Sequence, residues 1–184
     1  YMEKQYLSNT VQGKRINLKQ HKVELAQKMF DYVVEDRDRL LEFMPWPKDI
    51  QTVDDEINFI NRCIKQFDNY ESVHYGIYRN SDDEYMGNIS AFKFDWDNCH
   101  CEIGYWILGK FEGSGYMSEA VKLLEEALFA TGFNRLVIRC DPKNERSYSI
   151  PKRLNYQLEG TQRQIILLKD GFGDFDIYSK LKTD

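Results

Sequence analysis

Nowhere in these 184 residues does an apolar run reach the roughly 18 positions that a membrane-crossing helix requires. The opening YMEKQYLSNT also lacks the apolar centre of a secretory leader, so no membrane partner and a cytoplasmic setting are expected. Positive charge is not in excess: 25 Lys and Arg against 30 Asp and Glu leave a formal net charge of -5. This balance argues against a nucleic-acid-binding surface and suits a cationic or basic-peptide partner. Cysteine is scarce. Of Cys63, Cys99, Cys101 and Cys140, only Cys99 and Cys101 are near neighbours, flanking His100 in what reads as a strand. Alternation puts the two sulfurs on one face and the imidazole on the other, so reduced structural thiols are expected and no metal site. Linkers, repeats and low-complexity tracts are absent too, which leaves one domain as the expectation.

What the chain does have is material for a core. Its residues are 42% hydrophobic and 14% aromatic, with twelve tyrosines and eleven phenylalanines as large packing units. KRINLK (14–19) alternates as a strand, and KVELAQKMFDYV (22–33) carries Val23, Ala26, Phe30 and Val33 at helical spacing. DRDRLLEFM reads as a second, short helical piece stopped by the prolines of PWP. TVDDEINFINRCIKQF (52–67) opens on Thr52 as N-cap with Asp55 three residues on, and Ile57, Ile60, Ile64 and Phe67 form its expected buried stripe. Strands are expected over 72–78, 85–94 and 99–108. A helix follows with Met117, Ala120, Val121, Leu124, Ala127, Leu128 and Thr131 on its core side, ended by Gly132. RLVIRCD then reads as a strand, NERSYSIPKRL as a short helix, and the tail as two strands around KDGFG. This order describes an α+β protein whose mixed, mostly antiparallel central sheet is flanked by helices.

The stretch KFEGSGYMSEA (110–120) sets two glycines before the long helix. Residues without a Cβ let main-chain N–H groups face a ligand, and the first N–H groups of a helix are unpaired at the positive end of its dipole. An anion cradle is therefore expected, a bare tight turn being the plain alternative. GYWILGKF (104–111) approaches the phosphate-loop pattern but fails it. Tyr105, Trp106, Ile107 and Leu108 are bulky strand formers, and Phe111 stands where a metal-binding hydroxyl belongs.

With Lys110, Gly113 and Gly115 in register, the stretch resembles the acetyl-CoA signature [QR]-x-x-G-x-[GA] of the GNAT acyltransferases, lysine standing for Gln or Arg. The resemblance runs from about residue 13 to the C-terminus. It is closest over EIGYWILGKFEGSGYMSEAV and DPKNERSYSIPKRLNYQLEG, which look like the RimJ/RimL branch of ribosomal-protein N-terminal acetyltransferases. It implies a GNAT domain over 11–184 behind an N-terminal extension, 1–10, with acetyl-CoA as cosubstrate and no metal. The N–H groups of Gly113, Ser114, Gly115, Tyr116 and Met117 would clasp the pyrophosphate, with Lys110 adding charge. Trp106, Ile107 and Leu108 would lie along the pantetheine arm on a strand splayed from its neighbour, and Asn144 would touch that arm.

Most GNAT proteins place a tyrosine acid where this chain has Pro151. By resemblance to the RimJ/RimL branch, the hydroxyl of Ser147 instead protonates the leaving sulfur, a helix serine bonded to its own backbone being the alternative. The branch's glutamate in the penultimate strand is missing, its place taken by Ile166. Glu102 resembles the strand glutamate that serves as base in histone-acetylating relatives, with a structural salt bridge as its other reading. Asn155 replaces the usual glycine of the turn after the last helix, where asparagine tolerates the left-handed conformation. The acceptor pocket is expected between the early helices and the last hairpin, with Phe43, Trp46, His74 and Tyr75 as lining or core. The expected acceptor is a primary amine, a ribosomal-protein N-terminus by the resemblance. A small-molecule amine such as a polyamine or aminoglycoside, and a catalytically silent acyl-CoA-binding module, are the alternatives. The sequence leaves oligomeric state open, a homodimer included.

Overall fold

The structure, a computed structural model, describes residues 3–184; Tyr1 and Met2, at the head of the expected extension, lie outside the described residues. Its strands are β1 (Thr10–Gln12), β2 (Ile16–Gln20), β3 (Val73–Arg79), β4 (Glu84–Asp95), β5 (His100–Ile107), β6 (Arg135–Cys140), β7 (Gln157–Leu168) and β8 (Gly171–Leu181). They form one sheet in the order β1-β2-β3-β4-β5-β6-β8-β7. All neighbours are antiparallel except β5 and β6. A parallel pair needs a crossover, and the long helix supplies it. The helices are α1 (Ala26–Leu41), α2 (Val53–Asp68), α3 (Tyr116–Thr131) and α4 (Glu145–Arg153).

Most elements stand where the pattern puts them, and their ends show why. Thr52 and Asp55 complete a reciprocal capping box at the start of α2, an arrangement that contributes about 1 kcal/mol. Gly132, at φ 117°, closes α3 by donating to the carbonyls of Leu128 and Phe129. Asn155 takes φ 62° in the turn after α4. Three expectations change. The separate helical piece over DRDRLLEFM is the second half of α1, because no breaker falls before Pro45. Cys99 lies in the turn before β5 at φ 55°, outside the strand. The line that α2 buries is Glu56, Ile60 and Cys63, with Ile57 and Phe67 at its flanks and Ile64 43% exposed.

One register detail positions the site. β5 pairs with β6 only over His100–Ile103, opposite Arg135–Ile138, whereas its pairing with β4 continues to Ile107 opposite Gly87. Gly104 to Ile107 therefore have one partner strand and a free edge towards α4. Rungs Asn88–Trp106, Ser90–Gly104 and Phe92–Glu102 put those side chains on the face shared with α2. There Trp46 packs on Trp106 at 5.7 Å and Phe59 on His74 at 5.7 Å. Cys101 and Ile103 alternate to the other face, into the core that α3 covers.

Candidate active site

The glycine turn ends in α3. Gly113 and Gly115 have φ 78° and 79°, a region that other residues enter only with strain, and Gly115 is the residue that leads the helix. The first main-chain bond of α3 runs from the N–H of Glu119 to the carbonyl of Gly115. Among the described residues, the N–H groups of Gly113, Ser114, Gly115, Tyr116 and Met117 have no acceptor. A Cβ on Gly113 would meet nothing within 4 Å, so the approach to these donors is open.

The cation at this turn is Arg15. Its Nη1 donates to the Ser114 carbonyl at 2.9 Å and its Nε pairs with Glu119 at 2.8 Å. Its Nη2 lies 3.4 Å from where a Cβ of Gly115 would be. Lys110 is turned to α1 instead, 3.7 Å from Glu35 and over the ring of Tyr32 at 4.8 Å. Arg153 of α4 reaches the mouth too, donating to Ser118 Oγ at 2.7 Å. Neither arginine was singled out by sequence reasoning. Each meets the turn only through tertiary contact, and no local spacing announces it.

The second component is the free edge of β5. Leu108 donates its N–H to the Met86 carbonyl at 3.0 Å, and the Ile107 carbonyl accepts from Arg39 Nη2 at 2.6 Å. These bonds fix the strand end; Trp106, Ile107 and Leu108 thus border the wedge with part of their main chain already engaged. On the far side stands α4. Asn144 caps it, Oδ1 accepting from the Ser147 N–H at 3.2 Å, and the Tyr105 hydroxyl donates across the wedge to the Ser147 carbonyl at 3.1 Å. The Ser147 side chain lies against Cys140 at the end of β6, whose thiol burial pushes up to about 12. The structure therefore sets Asn144 and Ser147 across from the strand edge, with the glycine turn at the neighbouring mouth of α3.

Glu102 is 13% exposed in its side chain, with Arg139 Nε on one oxygen at 2.6 Å and Lys93 Nζ on the other at 2.9 Å. A carboxylate so held ties β4, β5 and β6 together; to accept a proton it must first give up one of those partners. Ile166, in the place of the missing glutamate, pairs with Gly173 in the final hairpin. Of the four expected lining residues, Trp46 meets the wedge through Trp106. Tyr75 is fully buried with its hydroxyl on the Ser8 carbonyl, and His74 is held near a pKa of about 4 by burial.

Unbonded amides at a helix mouth, an arginine beside them and an adjoining strand edge suit a diphosphate carrying an extended thioester arm, so coenzyme A fits the residues present. Among the described residues, no cluster of His, Cys, Asp or Glu is suited to a metal. The chain is 25% identical to the ribosomal-protein-serine acetyltransferase of Escherichia coli (strain K12), over 83% of this chain and 85% of that one. It is 29% identical to the putative ribosomal N-acetyltransferase YdaF of Bacillus subtilis (strain 168), over 86% and 87%. Among solved structures, RimL, the ribosomal L7/L12 alpha-N-protein acetyltransferase, in complex with coenzyme A superposes with a TM-score of 0.90 at 21% identity, covering 95% of this chain and 99% of that one. The microcin C7 self-immunity acetyltransferase MccE, in complex with acetyl-CoA and AMP, gives 0.87 at 24%, covering 92% and 93%. The model of the acetyltransferase (GNAT) domain matches residues 15–157, and on that match, with the fold and the wedge in agreement, the chain belongs to the GNAT acetyltransferase family.

Proposed function

We propose that this acetyl-CoA-dependent acetyltransferase modifies the N-terminal amino group of a protein. The observation that carries this reading is an open groove on the α2 side of the sheet. It encloses about 660 Å³ and is lined by Gln66, Tyr70, His74, Phe92, Lys93 and Trp96. Phe92 stands across from Glu102, and His74 across from Ser90, so the groove lies on the same face as the wedge. The groove's lining begins at Phe92, two rungs along β4 from Asn88 and Trp106. It suits the body of an extended chain whose amine end reaches on along the sheet to the free edge, a length that a small amine does not use. The named activities of the Escherichia coli and Bacillus subtilis relatives support the same acceptor class. A cytoplasmic setting agrees with it, since acetyl-CoA and reduced thiols are found there.

In this reading the amides of Gly113–Met117 hold the pyrophosphate and Arg15 supplies charge. Asn144 and the edge at Trp106–Leu108 align the arm. The Ser147 hydroxyl donates to the departing sulfur, whose thiol pKa of about 8.5 asks for only a weak acid. Thiol release from acetyl-CoA should be followed against N-terminal peptides, polyamines and aminoglycosides. Turnover on peptides above all small amines is expected. Turnover on small amines alone contradicts the acceptor assignment, and coenzyme A binding without any turnover leaves a binding module.

A further inference from the structure

Glu102 is clamped by two cations, yet a second carboxyl on the α2 side of the sheet is clamped by none. Glu56 sits in the first turn of α2 and is 2% exposed, in line with Ile60 and Cys63 where the helix meets the sheet. From its own helix it is faced by Asp55 and Cys63, and from β4 by Tyr85. Tyr32 of α1 and Tyr78 of β3 close around the Tyr85 ring at 5.5 and 5.7 Å. No lysine, arginine or histidine among the described residues offsets its charge, and no hydrogen bond to its carboxyl is present. Burial without a partner pushes that carboxyl up to about 7.

Its place in the fold connects it to the wedge. The Tyr85 hydroxyl donates to Asn88 Oδ1 at 2.6 Å, and Asn88 is the rung partner of Trp106. Trp106 in turn packs on Trp46, from the turn that leads into α2. Glu56, Tyr85 and Asn88 thus lie behind the strand segment that β6 has released, on its α2 side. An unpaired buried carboxylate is a poor structural element and a good receptor for an ammonium group.

We propose that Glu56 takes the proton of the acceptor's ammonium group, so that a neutral amine meets the thioester. The step balances as follows. One N–H proton passes to the Glu56 carboxylate and from there to water, freeing the nitrogen lone pair. The nitrogen forms the C–N bond as the C–S bond breaks. A second N–H proton is lost, the sulfur is left as thiol, and one proton in all is released. This inference rests on the acetyltransferase reading.

The test uses the full chain and a peptide amine that the wild type acetylates, with Glu56→Gln, Glu56→Asp and Glu102→Gln compared from pH 6 to pH 9. Glu56→Gln should lower kcat/KM about tenfold or more at pH 7, the scale of a lost proton acceptor, and leave it near wild type at pH 9, where the amine is already neutral. Glu56→Asp should restore the neutral-pH activity in part, and Glu102→Gln, which breaks the ion pairs with Arg139 and Lys93, should scale the rate alike at every pH without moving the profile. Without any ligand, carbon-13 titration of the labelled glutamates should show one carboxyl with a midpoint near 7 that Glu56→Gln removes. An unchanged profile in Glu56→Gln, a uniform loss at every pH, or transfer of the effect to Glu102→Gln overturns the assignment. A wild-type chain that acetylates no amine removes the acetyltransferase reading, and this inference with it.

Discussion

The two sides of the wedge are built from different material. At the mouth of α3 the groups left unpaired are main-chain amides, set by two glycines with positive φ beside a register in which β5 leaves β6. Across the sheet, on the α2 side, the groups proposed to meet the acceptor are side chains: Trp46, Glu56 and Asn88, from three separate parts of the chain. Main-chain donors are the same in any sequence that adopts the turn, so this side suits a ligand that never changes. Side chains can be exchanged one by one without disturbing a strand, so the other side suits a variable acceptor. Substitutions on the amide side should therefore abolish cofactor binding, while those on the side-chain side should alter rate, pH dependence and acceptor choice.

The largest effect expected is on the amide side. Gly115→Val places a β-branched residue at φ 79°, where such residues are strained by about 1–3 kcal/mol, and sets its Cβ 3.4 Å from Arg15 Nη2. Coenzyme A affinity should fall at least tenfold by calorimetry, with the helical circular dichroism of α3 retained. Ser147→Ala keeps the cap with Asn144, because the bond runs through the Ser147 N–H. It should lower kcat about tenfold to a hundredfold and leave acetyl-CoA affinity unchanged. Equal losses in both quantities would make Ser147 a binding group and blur the division between the two sides.

Glu56 offers a test that needs no substrate. Its pKa is raised in the folded state, from 4.5 to about 7. The folded protein therefore binds the proton more tightly than the unfolded chain. Its stability from this group is full below about pH 4.5 and declines as the pH rises through about 7. Glu56→Gln should thus melt several degrees above wild type at pH 8 and close to it at pH 4.5, a few kcal/mol corresponding to roughly 2–4 °C each in a chain of this size. A difference that does not change with pH would contradict an unpaired buried carboxyl. The smallest effect is assigned to Arg15→Ala. The side chain is 47% exposed, so coenzyme A affinity should drop only about threefold, with the loss shrinking as salt is raised.

The same division governs what could be read in advance. The amide side was legible because its causes are local. Gly113, Gly115, the periodicity of α3, Gly132 and the cap at Asn144 each act within a few residues of themselves. The α2 side was not. Apolarity alone places the buried stripe of α2 on Ile57, Ile60, Ile64 and Phe67, which leaves Glu56 at the edge of the stripe, where a charged residue is expected to reach solvent. The structure rotates the helix so that Glu56 and Cys63 join Ile60 under cover, leaving Ile64 outside. A helix packed at an angle on a twisted sheet is set by the surface it meets, and its own hydrophobic pattern decides between neighbouring rotations only weakly. Arg15 was hidden for a related reason. It reaches Ser114 from the loop before β2, 99 residues away along the chain. Glu102 was legible as a residue, but its ion pairs with Arg139 and Lys93 depend on the β4–β5–β6 register.

Titration calorimetry of coenzyme A into the wild-type chain and into Gly115→Val, at one salt concentration, tests most directly whether unpaired amides at the mouth of α3 hold a diphosphate. Saturable one-site heat in the wild type, lost or at least tenfold weaker in the variant, is the predicted result. No heat in the wild type, or the same affinity in both, would contradict it.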